Sequence, residues 1–197
     1  MTASTTGLVL ASASPRRSEL LGRLGLVPVV DPAHVDEARL PGEDAEDYVL
    51  RVSADKARAV AARHPGAVVV AADTAVVVDG EPLGKPADAA DALATLERLS
   101  GSTHEVLSAV VVIDPEGIEH AALARAAVRM STSEPAEREW YVATGEPLDK
   151  AGSYAVQGIG AFLVEGIDGD PTTVIGLPLR TTLDLLVTAG VSWPSTL

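Results

Sequence analysis

The chain has 197 residues, with 15 Lys plus Arg against 28 Asp plus Glu and a formal net charge of −13. Hydrophobic residues make up 47% and charged residues 22%, the balance of a folded globule that can bury about two-thirds of its unfolded surface without staples. The absence of Cys excludes a disulfide framework, a thiolate nucleophile and a zinc–thiolate site. No apolar run reaches ~18 residues, which excludes a membrane-spanning helix. The acid excess argues against binding nucleic acid through an overall basic surface.

Residues 1–7 are polar and lack a basic n-region, so no signal peptide is expected, residues 1–7 read as a flexible tail, and a cytoplasmic location follows. Residues 8–11 form an apolar run, read as a first buried strand. A helix is predicted over 15–24, with Leu20, Leu21 and Leu24 on one stripe and Gly25 as its stop. Residues 27–30 read as a second strand and 31–44 as a polar loop. A long amphipathic helix is predicted over 45–63, closed by His64-Pro65-Gly66. The run 67–72 reads as a strand covered on both faces, 74–78 continues it, and Asp79-Gly80 is a hairpin turn.

A helix follows over 87–99. Runs at 106–113 and 118–130 flank Asp114-Pro115-Glu116-Gly117 and predict a long antiparallel hairpin. A short helix over 135–143 is opened by Ser133. The Gly-rich stretch 145–160 reads as loop, 162–167 as a strand and 178–189 as a last helix. The alternation of strands and helices with a hairpin inserted predicts an α/β (α+β) fold, a mixed twisted sheet flanked by helices. No internal repeat or linker divides the chain, so a single domain is expected over 1–197. If it forms two lobes, the cleft between them is the natural ligand site.

Several residues fit structure alone poorly. Ser14 suits a helix N-cap and Pro15 the first helical position. Arg16 and Arg17 then fall in the first turn, the wrong end of the helix dipole for cations. Two cations beside free backbone N–H groups and the hydroxyls of Ser12 and Ser14 make a site for a polyanion; two solvent-facing arginines are the alternative. Lys56 lies within the apolar stripe Val49, Val52, Ala59, Val60, where a lysine must snorkel, pair or face a cleft. Asp73 interrupts an apolar run, and burying it costs several kcal/mol unless it is satisfied. An Asp at the end of a buried strand suits a Mg²⁺ ligand or a general base, with a turn-capping role as the alternative. Gly84-Lys85-Pro86 holds a lysine in a loop without P-loop spacing. Glu37 is unremarkable by itself. The four histidines, His34, His64, His104 and His120, lack metal-ligand spacing, and no G-x-S-x-G elbow supports a serine hydrolase.

Taken in order, these segments resemble one family. Leu10-Ala-Ser-Ala-Ser-Pro-Arg-Arg-Ser-Glu-Leu-Leu21 is similar to the N-terminal signature of the Maf family of nucleoside triphosphate pyrophosphatases. So are Ala54-Asp-Lys-Ala57, Ala71-Ala-Asp-Thr74, Gly84-Lys-Pro86, Leu99-Ser-Gly-Ser-Thr-His-Glu-Val106, Asp149-Lys-Ala-Gly-Ser-Tyr-Ala-Val-Gln-Gly158 and Gly176-Leu-Pro178. The resemblance implies a Maf/ITPase-like fold of two lobes and a cleft. It also implies hydrolysis of a nucleoside triphosphate between the α- and β-phosphates with a divalent cation, Mg²⁺ or Mn²⁺, and a homodimer. Its functional positions fall on Ser12, Arg16, Arg17, Glu37, Lys56, Asp73, Thr74, Lys85 and Gln157. Asp73 matches the proton acceptor. Arg17, Thr74 and Gln157 match the specificity positions, in the combination of the branch acting on dTTP and UTP. One departure stands at Asp170-Pro-Thr-Thr-Val174, where the family has a Ser-Asn-Val type segment.

The mechanism expected on this basis needs local charge reversal, because a triphosphate is repelled by a chain of charge −13. Arg16, Arg17, Lys56 and Lys85 would grip the phosphates, Glu37 and Asp73 would hold the metal, and Asp73 would take a proton from the attacking water. Thr74 and Gln157 would read the base edge. Neither a nucleic acid nor a membrane is expected as partner. The rival reading is a regulatory protein of cell division, a septum formation inhibitor whose nucleotide binding is secondary; a catalytically dead variant assayed for division arrest separates the two. A nucleotide-binding module without turnover is a third, disfavoured because binding alone needs no buried carboxylate near phosphates.

Overall fold

The computed structural model describes residues 7–194. Of the expected tail, residues 1–6 lie outside the described residues, whereas Gly7 is tied to the sheet by its carbonyl, which accepts from Val68 N at 2.7 Å. The elements run β1 (Leu8–Leu10), α1 (Pro15–Arg23), β2 (Val29–Val30), α2 (Ala45–Ala61), β3 (Val68–Val78), β4 (Glu81–Leu83), α3 (Ala89–Leu99), β5 (Thr103–Ile113) and β6 (Glu119–Met130). There follow α4 (Pro135–Ala143), β7 (Val164–Gly169), α5 (Pro171–Ile175) and α6 (Leu179–Thr188). The strands form one mixed sheet in the order β2-β1-β3-β5-β6-β7, with β4 also on β3. The β1 pairings are parallel and the rest antiparallel. The α/β expectation therefore holds, with helices flanking a mixed sheet.

The two eleven-residue strands β3 and β5 carry the architecture. Their two halves reach different ends of the sheet, and within each half successive side chains leave opposite faces, so each strand feeds four clusters. Val68, Val70 and Ala72 pack with Leu20, Leu21 and Leu186 of α1 and α6, while Val69 and Ala71 pack with Ala57 and Val60 of α2. Further along, Val76 packs with Leu96, Leu99 and Tyr141 of α3 and α4, while Ala75 and Val77 meet Ala45 and Val49 at the start of α2. Asp73 and Thr74 fall at the waist between these two lobes.

The edge of β3 is open at that waist. Its pairing with β1 ends at Val70 and its pairing with β4 begins at Val76. Between them, no strand among the described residues covers that side. The gap follows from local sequence: Ser12 to Pro15 turn the chain out of β1 into a helix, and Asp79 and Gly80, both at positive φ, make a tight turn that returns only three residues of β4.

Some expected elements shift. Only Val29–Val30 of the stretch 27–30 pairs with the sheet, since Pro28 offers no N–H for a ladder. Helix α4 is capped by Glu134 rather than Ser133; Glu134 N donates to the Glu137 carboxylate at 2.7 Å, while Ser133 binds Ser100 and Arg138. The expected loop 145–160 holds 3₁₀ turns at Glu146–Asp149 and Ala151–Ser153, and a third begins at Ile159. The Glu146 carboxylate ties them together, accepting from Ile159 N, Gly160 N and Tyr141 Oη at 2.8–2.9 Å. That third turn takes in residues 162–163, so the last strand starts at Val164.

Candidate active site

A cavity of about 730 Å³ opens at the uncovered edge of β3. All ten residues singled out in the sequence line it: Ser12, Ser14, Arg16, Arg17, Glu37, Lys56, Asp73, Thr74, Lys85 and Gln157. Its lining reverses the charge of the chain. Six cations, Arg16, Arg17, Arg39, Lys56, Lys85 and Lys150, stand against three carboxylates, Glu37, Asp73 and Asp149. The wall is thus net positive in a protein of charge −13, the condition for drawing in a polyanion.

Asp73 is satisfied by a helix. The buried stripe of α2 runs Val49, Val52, Ser53, Lys56, Ala57, Val60, spacing that turns Lys56 onto the sheet. Asp44 starts this helix by accepting from Glu46 N and Asp47 N. Lys56 Nζ lies 2.8 Å from Asp73 Oδ1 and 2.9 Å from Glu37 Oε2. Lys56 is 8% exposed and Asp73 7%, so each needs the other: removing one would leave an uncompensated buried charge. Asp73 therefore pairs with an ammonium rather than capping a turn. Glu37 comes from the loop 31–44, which Arg51 fixes through Glu43 at 2.5 Å and Ala38 O at 3.0 Å. Tyr48 looks into the same corner, and burial, then the charges of Asp73 and Glu37, push its hydroxyl above the usual range.

Lys56 thus holds one oxygen of Asp73 and lies against one oxygen of Glu37. Among the described residues no three His, Asp or Glu side chains gather as a metal cage. Two carboxylates facing one cavity nevertheless suit a hard cation such as Mg²⁺, which takes one or two carboxylates and completes its shell with water and phosphate.

Arg17 lies on the other side of the waist. Its Nε donates to Gly176 O at 2.9 Å, Nη1 to Ser12 Oγ at 3.0 Å and Nη2 to Thr74 Oγ1 at 3.4 Å. Three of its five N–H groups are thereby used to hold its place, and two remain for a ligand. Burial, reinforced by Arg16, pulls Arg17 below its ordinary value, with Asp73 and Glu37 working in the opposite sense. The segment 170–174, the departure noted in the sequence, is no loop. Asp170 caps α5 by accepting from Thr172 N at 2.8 Å, and this helix ends at Gly176, whose carbonyl meets Arg17. Gly176 has φ +116, and a Cβ there would stand 3.3 Å from Thr74 Oγ1, so only glycine serves.

Ser14 is the N-cap of α1 by position but makes no capping bond with its side chain; its N–H donates to Ser12 Oγ at 3.2 Å. Arg16 reaches toward Asp149 at 3.9 Å, and Lys150 holds the same carboxylate at 2.5 Å. Lys85 and Gln157 are exposed at the rim. Arg39, Tyr48 and Lys150 line the cavity without having been singled out. Lys150 stands inside a quoted motif and could have been found there, while Arg39 lies in a polar loop with no pattern to mark it.

A family model described as Maf-like protein matches residues 7–189. The chain belongs to the Maf family. It is 54% identical over 191 residues to a dTTP/UTP pyrophosphatase of Anaeromyxobacter sp. (strain Fw109-5), covering 95% of this chain and 91% of that protein. It is 50% identical over 194 residues to a dTTP/UTP pyrophosphatase of Myxococcus xanthus (strain DK1622), covering 98% of each. Among solved structures, the Staphylococcus aureus Ham1 protein matches 93% of this chain and 98% of its own at 14% identity, with a TM-score of 0.48. Among the described residues, no helix of this Maf protein is long and apolar enough to cross a membrane.

Proposed function

We propose that this Maf protein is a nucleoside triphosphate pyrophosphatase acting on dTTP and UTP. It would add water across the α–β phosphoanhydride to give the monophosphate and pyrophosphate. The observation that carries this reading is the cavity in which a buried, lysine-held carboxylate faces a net positive wall. The names of relatives at 50–54% identity over nearly the whole chain support it.

In this reading Asp73 accepts a proton from the attacking water, and Lys56 fixes its orientation through the 2.8 Å bond. Arg16, Lys85 and the free N–H groups of Arg17 bind the phosphates and stabilise the charge that develops on the leaving pyrophosphate. Ser12 and Ser14 serve the phosphates as hydroxyl donors beside the start of α1. Glu37 and Asp73 would hold a Mg²⁺ or Mn²⁺ ion. When bound, that ion supplies charge neutralisation at the phosphates and a more acidic water. Thr74 and Gln157 read the base. The chain works as a single domain and assembles as a homodimer, which the hydrodynamic mass in solution would check.

The test is turnover over dTTP, UTP, CTP and purine triphosphates, with Mg²⁺ and Mn²⁺ in turn and products identified. Monophosphate and pyrophosphate from dTTP and UTP above the rest are expected. Equal use of all bases would remove the base-reading part, and absence of pyrophosphate would remove the whole.

A further inference from the structure

Ser108 lies in the middle of β5, fully buried and paired across the sheet with Thr74 of β3. It makes two short oxygen contacts: 2.7 Å to Thr74 Oγ1 and 2.8 Å to Thr173 O. A serine hydroxyl has one proton, and a carbonyl oxygen only accepts. If that proton pointed at Thr74, the contact with Thr173 O would set lone pair against lone pair in a buried site. Ser108 therefore donates to Thr173 O, and the proton between Ser108 and Thr74 belongs to Thr74.

Thr74 then has no proton left for a ligand. Of its lone pairs, one faces the Arg17 Nη2 donor at 3.4 Å; Gly176 O also lies 3.4 Å away but only accepts, so the second lone pair is left for the cavity that Thr74 lines. Gln157 behaves differently. It is exposed, and its amide can rotate by half a turn to offer either a carbonyl or an amino group. Such an amide adapts to either hydrogen-bond pattern, so it cannot by itself reject a base. A hydroxyl locked as an acceptor can, because a base that offers a lone pair at that point leaves two acceptors facing each other.

We infer that Ser108 is a specificity-determining positioning residue: through Thr74 it holds an acceptor against the ring nitrogen of the base, selecting the imide N–H of uracil and thymine over the bare ring nitrogen of cytosine. This rests on the proposed reading that Thr74 meets the base of a pyrimidine nucleotide. Ser108 itself touches no substrate. Its contribution is the direction of one proton.

The test compares kcat/KM for UTP and CTP in the wild type and in Ser108→Ala, which takes away the 2.7 Å acceptor of the Thr74 proton and leaves that proton only the more distant Gly176 O, at 3.4 Å, or the cavity. The UTP-over-CTP ratio is expected to narrow by about tenfold or more, mainly by a gain on CTP. An unchanged ratio in a folded variant overturns the inference while leaving the pyrophosphatase reading intact. Failure of the wild type to release pyrophosphate from UTP would instead overturn that reading and this inference with it. A second measurement needs no variant: the wild type is given a UTP analogue with carbon in place of the ring N–H nitrogen. Its kcat/KM is expected to fall by about tenfold against UTP, and equal handling would overturn the inference.

Discussion

Asp73 and Thr74 are consecutive residues of one strand, and they serve opposite faces of the sheet. On the α2 face, buried Asp73 meets buried Lys56, whose ammonium also reaches the exposed Glu37. On the other face, Thr74 meets Ser108, Gly176 O and one guanidinium. The first arrangement exists only because a helix delivers an ammonium at the right turn; without it the carboxylate would be buried with no countercharge. The second needs only that hydroxyl protons run in one direction. A break in the sheet edge exposes both faces to one cavity, so a ligand can meet charge chemistry on one side and neutral recognition on the other.

Substitutions can separate the two faces. The largest effect is expected for Asp73→Asn, which removes the proton acceptor while keeping the shape: pyrophosphate release should fall by about 10²–10⁴-fold, in a folded protein whose melting temperature is lowered because buried Lys56 keeps only the exposed Glu37 as countercharge. Lys56→Met strikes the same face through stability. It leaves Asp73 buried and unpaired, and denaturant unfolding should register a loss of about 3–5 kcal/mol. Combining it with Asp73→Asn should restore much of that loss. An additive double variant would mean that the pair is not coupled.

The neutral face should break with acid. His104 is buried, its Nε2 lies 2.8 Å from Tyr154 Oη, and Nδ1 has no partner. Burial pulls it down from 6.5 to about 4. Between those values the unfolded chain binds a proton that the folded chain refuses, so stability falls as pH drops from about 6.5 to about 4, by about 3 kcal/mol in all. His104→Gln should flatten that slope in melts recorded across the interval. The smallest effect is expected for Thr74→Val, which removes an acceptor without changing shape. kcat/KM for UTP should drop by about tenfold to a hundredfold, with the melting temperature little moved. A variant that loses stability instead would make Thr74 a packing residue.

Much of the fold was legible in periodicity. The stripe of α2, the doubly covered β3 and the β5–β6 hairpin all follow from apolar spacing and turn residues. Asp73 and Lys56 stood out for a physical reason: each is a charge inside an apolar pattern. Arg16 and Arg17 stood out because cations oppose the dipole at a helix start. Glu37, Lys85 and Gln157 are polar residues in polar stretches and carry no such conflict, so only the family resemblance marked them. Ser108 was invisible. A small hydroxyl inside a strand breaks no pattern, and its meaning depends on the register that sets it against Thr74. The 3₁₀ turns between 145 and 163 were missed because the Glu146 carboxylate, rather than local periodicity, organises them. Helix α5 was missed because five residues are too few to show a period.

The most direct test of the charged face as the reactive one is product analysis by phosphorus NMR on UTP, wild type beside Asp73→Asn. The wild type should yield UMP and pyrophosphate, and the variant almost none over the same time. Release of UDP and inorganic phosphate, or undiminished pyrophosphate from Asp73→Asn, would place the reaction elsewhere.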